Sequence, residues 1–172
     1  AGYREAGLPL DAVWSDIDVY DKNRLFTYDP KNYAPTSLSA FVDELHTSDM
    51  HWVPIVDCAV ASEPGFPPYD RAMGNVNGSD SGGADSVFVQ GRTGGPYFGQ
   101  VWSGPSHWVD WLHPRAAEYW GGELLTWRSN GGAFDGVWID MNEPSNFCTG
   151  DNCAKSDTSL NATCQLVCEA PE

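Results

Sequence analysis

Positive charge is scarce in this chain of 172 residues. Nine Lys and Arg oppose 24 Asp and Glu, and the formal net charge is −15 at pH 7. Such a surface repels phosphate groups, so we expect neither nucleic acid nor an anionic membrane as a partner. The sequence also lacks an apolar run long enough to span a bilayer, and we expect no membrane segment within these residues.

An initiator Met and a secretory leader are also missing. The chain starts at Ala1-Gly2-Tyr3 and stops at Glu172, within a cysteine-rich stretch. These ends predict a fragment of a longer protein, and in a fragment the missing leader says nothing about localisation.

Cysteine is concentrated near one end of the chain. Cys58 stands alone, and the other four lie close to the glycosylation sequon at Asn161: Cys148, Cys153, Cys164 and Cys168. Their spacings are looser than those of usual zinc sites and no His lies nearby, so disulfide bonds are favoured over zinc. Three pairings are open, of which Cys148–Cys153 is the local one. With a second sequon at Asn77, this pattern predicts the secretory route, with an extracellular, vacuolar or lysosomal destination. Cys58 is expected to be a buried thiol.

Aromatic residues are plentiful, with eight Trp, seven Tyr and seven Phe. Most of them are expected in the core, but flat aromatic faces also suit pyranose rings. The composition is therefore compatible with a neutral sugar as substrate.

Predicted strands and helices alternate along the chain, and acidic residues end the strands. Strands are predicted over 11–18, 50–57 and 137–139, and helices over 36–49 and 114–129. This order is typical of an α/β fold with a parallel sheet. A doubly wound sheet shares the order. Acids at successive strand ends, around what would be one pocket, favour part of a (β/α)8 TIM barrel with about three βα units.

The periodicity also predicts which residues share a face. On the first strand Trp14, Asp16 and Asp18 lie on one side. The helix over 36–49 is expected to begin with Thr36 or Ser37 as its N-cap. Its apolar stripe comprises Leu38, Phe41, Val42 and Leu45. The helix over 114–129 has an apolar face available from Ala116, Ala117, Tyr119, Trp120, Leu124 and Trp127.

Residues 59–111 are too many, and too rich in Gly and Pro, for a simple loop after the second strand. We predict an inserted subdomain there, with a disordered tract over 74–83 and a hairpin built from 87–90 and 99–102. Such an excursion would suit a lid on the catalytic face. The chain would then be a partial catalytic barrel over 1–172, with a second, Cys-rich insert starting over 145–172.

The most distinctive stretch runs from Gly136 to Phe147. Trp138 and Asp140 share one face of a short strand that ends on the carboxylates Asp140 and Glu143. Acids at the carboxyl ends of parallel strands are typical of catalytic residues. The alternative is an acidic turn after a core strand, because Asp, Asn and Pro are good turn residues.

The segment Trp-Ile-Asp-Met-Asn-Glu at 138–143 resembles the nucleophile signature of glycoside hydrolase family 31, in its lysosomal α-glucosidase and maltase-glucoamylase branch. Three earlier segments resemble the same family in the same order: Trp-Ser-Asp-Ile-Asp at 14–18, Ile-Val-Asp at 55–57, and Val-Trp at 101–102. The chain departs from the family pattern at Cys58 and Ser103, where the family usually has Pro.

The resemblance implies a retaining α-glucosidase that releases terminal α-linked glucose from maltose-type oligosaccharides through a glucosyl-Asp intermediate. Asp140 would be the nucleophile, and Glu143 would either support it or be a turn residue with a local bond. Asp16 would bind sugar hydroxyls, with Asp57 behind the pocket. The pocket would be lined by Ile55, Trp102, Trp138 and Met141. The family's catalytic acid would lie beyond Glu172, so the fragment alone is expected to be inactive.

No metal or cofactor is expected, and the substrate would be an α-glucoside. Rival hypotheses are an α-xylosidase or a glycoprotein-trimming glucosidase of the same family, and a catalytically inactive sugar-binding or scaffold homologue on the same barrel. A metal-dependent barrel hydrolase is disfavoured because paired His ligands are lacking.

Overall fold

The computed structural model describes residues 2–74, 85–92, 94–149, 153 and 155–156. They fall into two units: residues 1–57 with 118–142, and residues 58–117 with 143–172. The helices are α1 (Gly2–Glu5), α2 (Pro35–His46), α3 (Pro67–Ala72) and α4 (Ala116–Ser129). The strands are β1 (Ala12–Ser15), β2 (His51–Val56), β3 (Ala59–Ala61), β4 (Gly99–Val101), β5 (Gly104–Trp108), β6 (Trp138–Ile139), β7 (Cys148–Thr149) and β8 (Lys155–Ser156).

The first unit is built on a parallel sheet of three strands in the order β1-β2-β6. Trp14 pairs with Val53 in one ladder, and Ile55 pairs with Trp138 in the other. Parallel neighbours require crossover connections, and α2 lies in the one between β1 and β2. The α/β fold with three parallel strands is therefore confirmed.

The first strand is shorter than the alternating pattern predicted. It ends at Ser15, and the Asp16 carboxylate accepts a hydrogen bond from the Ile17 amide at 2.7 Å to cap a 3-10 helix over Ile17–Val19. Asp and Ser side chains commonly compete with strand ladders in this way. The prediction that Asp16 and Asp18 share a strand face with Trp14 was therefore wrong.

Helix α2 begins one residue before the predicted cap. Ala34 is its N-cap and Pro35 occupies the first turn, where a missing N–H costs nothing, so neither Thr36 nor Ser37 caps the helix. Leu38, Val42 and Leu45 are buried as predicted, but Phe41 is 42% exposed. The predicted stripe was thus one residue too wide.

An aromatic cluster fills the core of the first unit around Trp52 and Trp127, which are both fully buried. The Trp127 ring stacks on Tyr28 at 5.3 Å and donates its Nε1–H to the Thr27 carbonyl at 3.0 Å. Trp52 Nε1 donates to the Ser15 hydroxyl at 3.0 Å. Each indole therefore buries its ring with its N–H satisfied, which ties β2 to the end of β1 and α4 to the segment after β1.

Helix α4 continues through Gly121 and Gly122, although glycine has a low helix propensity. Ala116 and Trp127 are buried within this helix, whereas Ala117, expected on its apolar face, is exposed.

At the amino-terminal edge of the sheet, the Asp135 carboxylate accepts a hydrogen bond from the Trp52 amide at 2.9 Å. His46 Nε2 lies 3.0 Å from the same carboxylate, and His51 Nδ1 lies 3.6 Å from it. Burial by itself raises the pKa of the Asp135 carboxyl, but the amide and the two imidazoles outweigh burial and leave this pKa lowered. The amino-terminal edge therefore contributes to stability, whereas the acids that end the strands lie at the opposite, carboxyl-terminal edge.

The second unit contains an antiparallel sheet in the order β3-β5-β4. Strand β4 lies within the predicted 99–102 segment, but its partner is β5, and residues 87–90 contribute only isolated bridges, Phe88 to Val109 and Gln90 to Pro96. Gly104, with φ of 85°, permits the tight turn between β4 and β5 that alternation in the sequence did not reveal. The described residues of the predicted inserts over 59–111 and 145–172 fall in this unit, and residues 75–83 of the predicted disordered tract lie outside the described residues.

The local disulfide, Cys148–Cys153, is present, and β7 and β8 pair beside it. Cys58 is buried. Cys164, Cys168, Asn77 and Asn161 lie outside the described residues. Among the helices that the structure describes, none is long and apolar enough to cross a membrane. Within the same ranges, no group of three or more His, Cys, Asp and Glu is arranged to hold a metal ion.

Two glycines of the first unit should respond oppositely to a methyl group. A Cβ at Gly121 meets nothing within 4 Å, so Gly121→Ala should raise the free energy of unfolding by about 0.5–1 kcal/mol through better helix propensity. A Cβ at Gly132 would lie 2.5 Å from the Trp52 ring and 2.9 Å from the Tyr28 hydroxyl, so Gly132→Ala should lower it by about 1–3 kcal/mol. Urea unfolding of both variants measures the difference, and effects of the same sign would contradict this packing.

Candidate active site

Three carboxylates follow the carboxyl ends of the three parallel strands. Asp16 comes directly after β1, Asp57 after β2 and Asp140 after β6. The ladder extends past the last paired residues, because the Asp140 amide donates to the Val56 carbonyl at 3.2 Å. Parallel pairing therefore gathers at one edge of the sheet three acids that are far apart in sequence.

Asp57 is the central and most buried member of this group. Only 4% of its surface is exposed, and its Oδ1 atom has no hydrogen-bond partner among the described residues. Burial, followed by the nearby negative charges of Asp140 and Asp16, raises the pKa of the Asp57 carboxyl to about 7. The three acids thus differ: Asp16 is exposed, Asp140 half-buried and Asp57 enclosed.

The backbone after Asp140 is held in an unusual conformation. Met141 is buried at a φ of 58°, in the left-handed region that non-glycine residues rarely adopt. The Asn142 side-chain amide donates to the Asp140 carbonyl at 2.6 Å. Strained residues of this kind cluster at functional sites, where surrounding contacts stabilise them.

An aromatic surface lies on the sheet near these acids. The rings of Trp14 and Trp138 meet edge to face at 5.0 Å, and with Ala12 and Val53 they line a concavity of about 420 Å³. Trp14 is 63% exposed, and Ile139 at the sheet margin is 69% exposed. Both side chains are uncovered because the described strands form a parallel sheet of only three strands.

Ile55 lies next to this surface and is almost completely buried. Its carbonyl accepts a hydrogen bond from the Tyr20 hydroxyl at 2.5 Å. Asp16, Ile55, Trp138, Asp140 and Met141, all predicted from the sequence, therefore belong to this first unit together with Asp57.

Two predicted site residues, Trp102 and Glu143, belong to the second unit. Trp102 packs edge to face on Phe147 with ring centroids 4.7 Å apart and remains partly exposed. Asn146 anchors this pair, since its Oδ1 accepts from the Gln100 amide at 3.0 Å. Glu143 is exposed and accepts a hydrogen bond from the Ser145 hydroxyl, a local contact of the kind found in turns.

Some of these features were not predicted. Trp14 repeats the Trp-x-Asp spacing of Trp138 and Asp140, so its place in the aromatic surface could have been found from that repetition. The Tyr20 hydroxyl and the enclosure of Asp57 carry no sequence signal, because both depend on what packs around β2.

Replacing Asp57 by Asn should change how stability depends on pH. The ordinary carboxyl pKa of 3.8 is the reference for the unfolded chain, so between about pH 4 and pH 7 the folded protein holds a proton that the unfolded chain has lost. Unfolding becomes easier as pH rises through that window, and the loss levels off above the folded pKa. Asp57→Asn should remove this loss of stability. The free energy of unfolding of the variant minus that of the unsubstituted protein should therefore increase by more than about 1 kcal/mol from pH 4 to pH 7.

Urea unfolding across this window provides the measurement, with the same substitution at an exposed position, Asp43→Asn, as the control. A parallel response of the two variants would show that Asp57 is not protonated in the fold.

Comparison with known proteins identifies the family and supports the barrel fold. Residues 1–165 match the model of the glycosyl hydrolases family 31 TIM-barrel domain. Alpha-glucosidase from Aspergillus niger is 37% identical over 94% of this chain, which spans only 16% of that relative. A structure of glucosidase II alpha subunit superposes on 85% of the chain and 15% of its own with a TM-score of 0.73 at 25% identity. A structure of the family 31 alpha-glucosidase from Bacteroides thetaiotaomicron superposes on 87% of this chain and on 23% of its own chain, with a TM-score of 0.66 at 27% identity. The chain belongs to glycosyl hydrolase family 31 and contains a part of that family's TIM-barrel domain.

Proposed function

We propose that this chain is part of a retaining α-glucosidase that releases terminal, non-reducing α-linked glucose from maltose-type oligosaccharides. The observation that carries the proposal is the edge of the parallel sheet where Asp140 and Asp16 flank the enclosed Asp57, beside an exposed tryptophan surface. Acids for chemistry and flat aromatic faces for pyranose rings are what hydrolysis of a sugar requires.

The names of the relatives support this activity. The curated relatives include alpha-glucosidases from Aspergillus niger, Aspergillus oryzae and Mucor javanicus. Because the chain spans about one-sixth of their length, the activity of the whole protein remains part of the proposal.

In this mechanism Asp140 attacks the anomeric carbon, and a glucosyl ester forms as the bond to the leaving oxygen breaks. A carboxylic acid about 5 Å away protonates the leaving oxygen and then activates the water that hydrolyses the ester. In family 31 this acid follows a later strand, so we propose that it lies beyond Glu172 and that the 172-residue chain alone is inactive.

The remaining residues would bind and position the sugar. Asp16 is exposed at the edge and its second carboxylate oxygen can accept from sugar hydroxyls. Trp138 offers a ring face, Ile55 and Met141 close the apolar side, and we propose that Trp102 contributes a further wall and that Glu143 orients the loop after Asp140.

We propose the secretory route as the location of the whole protein. The Cys148–Cys153 disulfide supports this route, because such bonds persist in oxidising compartments.

A second substrate class has its own support. The structural neighbours include glucosidase II alpha subunit in a Glc1Man2-bound form, so glucose removal from a mannose-containing glycan is the alternative. Comparing kcat/KM for maltose and for a glucosylated mannose oligosaccharide distinguishes the two.

Covalent trapping tests the central assignment. A fluorinated α-glucosyl fluoride, incubated with the full-length protein that contains this chain, should leave its sugar on Asp140, because the fluorine slows hydrolysis of the ester. Peptide mass spectrometry locates the added mass. A label on another carboxylate would refute Asp140 as nucleophile. Binding of glucose without any label would favour the inactive homologue.

Asp16 can be tested against its near neighbour Asp18. Asp16→Asn should lower kcat/KM by about 10²-fold or more, because a charged acceptor for substrate hydroxyls is lost. Asp18→Asn removes the same charge two residues away, where the carboxylate instead contacts the Tyr33 hydroxyl at 3.1 Å, and should change kcat/KM by less than about threefold. Equal losses in both variants would indicate a general charge effect and remove Asp16 from the site.

A further inference from the structure

Asp57 is placed between two acids with different surroundings. It follows β2, the middle strand, so Asp16 after β1 lies on one side and Asp140 after β6 on the other. The negative charge of Asp140 has the larger effect on Asp57, and that of Asp16 the smaller. Three carboxylates so close cannot all be ionised without strong mutual repulsion.

The proton of this group belongs on Asp57 for two structural reasons. Asp57 is the most enclosed of the three, so burial penalises its ionised form most. Its Oδ1 also lacks a hydrogen-bond donor among the described residues, and a buried carboxylate needs donors.

Tyr20 is the titratable group that faces Asp57 from the segment after β1, and burial, followed by the Asp57 charge, raises the pKa of its phenol. A phenol has one proton to donate, and Tyr20 gives it to the Ile55 carbonyl. Tyr20 therefore cannot stabilise an Asp57 carboxylate without giving up that hydrogen bond.

We infer that Asp57 is a positioning residue that remains a neutral carboxylic acid while the enzyme works, and that it thereby keeps Asp140 ionised for attack. The inference rests on the proposed function, since it assigns Asp57 a role toward the proposed nucleophile. The proton stays on Asp57 throughout and no bond to the substrate forms there. If Asp57 ionised, its charge would repel Asp140 and its unsatisfied oxygen would draw in water or displace its neighbours, so productive attack would fail.

The role predicts a coupling between the two residues. When Asp140 becomes a neutral glucosyl ester, the main charge opposing ionisation of Asp57 disappears. The proton of Asp57 should then be lost at lower pH in the trapped enzyme than in the free enzyme. A carboxyl outside the reach of the Asp140 charge would keep its titration midpoint, and the effect of this coupling on the reaction is read from the pH profile below.

Infrared difference spectroscopy tests this directly on the full-length protein. The spectrum of the unsubstituted protein minus that of Asp57→Asn at about pH 5 should contain the carbonyl band of one un-ionised carboxyl. An exposed acid would already have lost this band at that pH, because its pKa lies near the ordinary value. We expect the band to persist to about pH 7 in the free enzyme and to disappear at least about one pH unit lower after trapping with the fluorinated glucosyl fluoride. An absent band, or a midpoint that trapping does not move, would overturn the inference.

The pH dependence of kcat/KM for α-glucosyl fluoride gives the second readout, because fluoride departs with little help from a general acid. The unsubstituted protein should lose activity above about pH 7, and Asp57→Asn, whose amide imitates the neutral acid, should keep activity within about threefold at about pH 5 without that loss. Asp57→Ala should lose at least about tenfold in kcat/KM at every pH, and Asp43→Asn should follow the unsubstituted profile.

An Asp57→Asn profile with the same alkaline loss would overturn the positioning role. Failure of the unsubstituted protein to hydrolyse the fluoride would instead overturn the proposed function, whereas the infrared band separately decides the protonation state.

Discussion

The parallel pairing of β2 with β1 on one side and β6 on the other is the constraint on which the first unit depends. It joins segments from three distant parts of the chain and places the residue after each strand at one edge. The two indoles at the centre of the core secure the same arrangement, because Trp52 on β2 bonds to Ser15 and Trp127 bonds to Thr27. Packing and site geometry therefore have the same origin.

The edge with the acids is costly to the fold, and the opposite edge is stabilising. Enclosing Asp57 without a donor from the residues that the structure describes and holding Met141 at positive φ both oppose folding. At the amino-terminal edge, Asp135 is satisfied by the Trp52 amide and two imidazoles. This division matches the general separation in parallel α/β folds between a catalytic and a stabilising face.

Several elements could be predicted because their signals are local. The β2 segment and the buried residues of α2 follow from short-range apolar patterns. Disulfide bonding was favoured from the cysteine spacing, but the pairing Cys148–Cys153 came from the structure. Where prediction failed, a local competitor won: the Asp16 carboxylate ended β1, Pro35 started α2 early, and β5 replaced residues 87–90 as the partner of β4. None of these outcomes contradicts the apolar pattern, which simply does not distinguish among them.

By itself, the sequence determined the family, the alternation of strands and helices, and the identity of the acids that end the strands, because these are properties of order and residue type. Only the tertiary structure decided how those acids differ. Asp16, Asp57 and Asp140 are chemically the same side chain, and their exposed, enclosed and half-buried positions follow from what packs around each strand end. Ionisation depends on solvation and neighbouring charge, and both are set by residues distant in the chain.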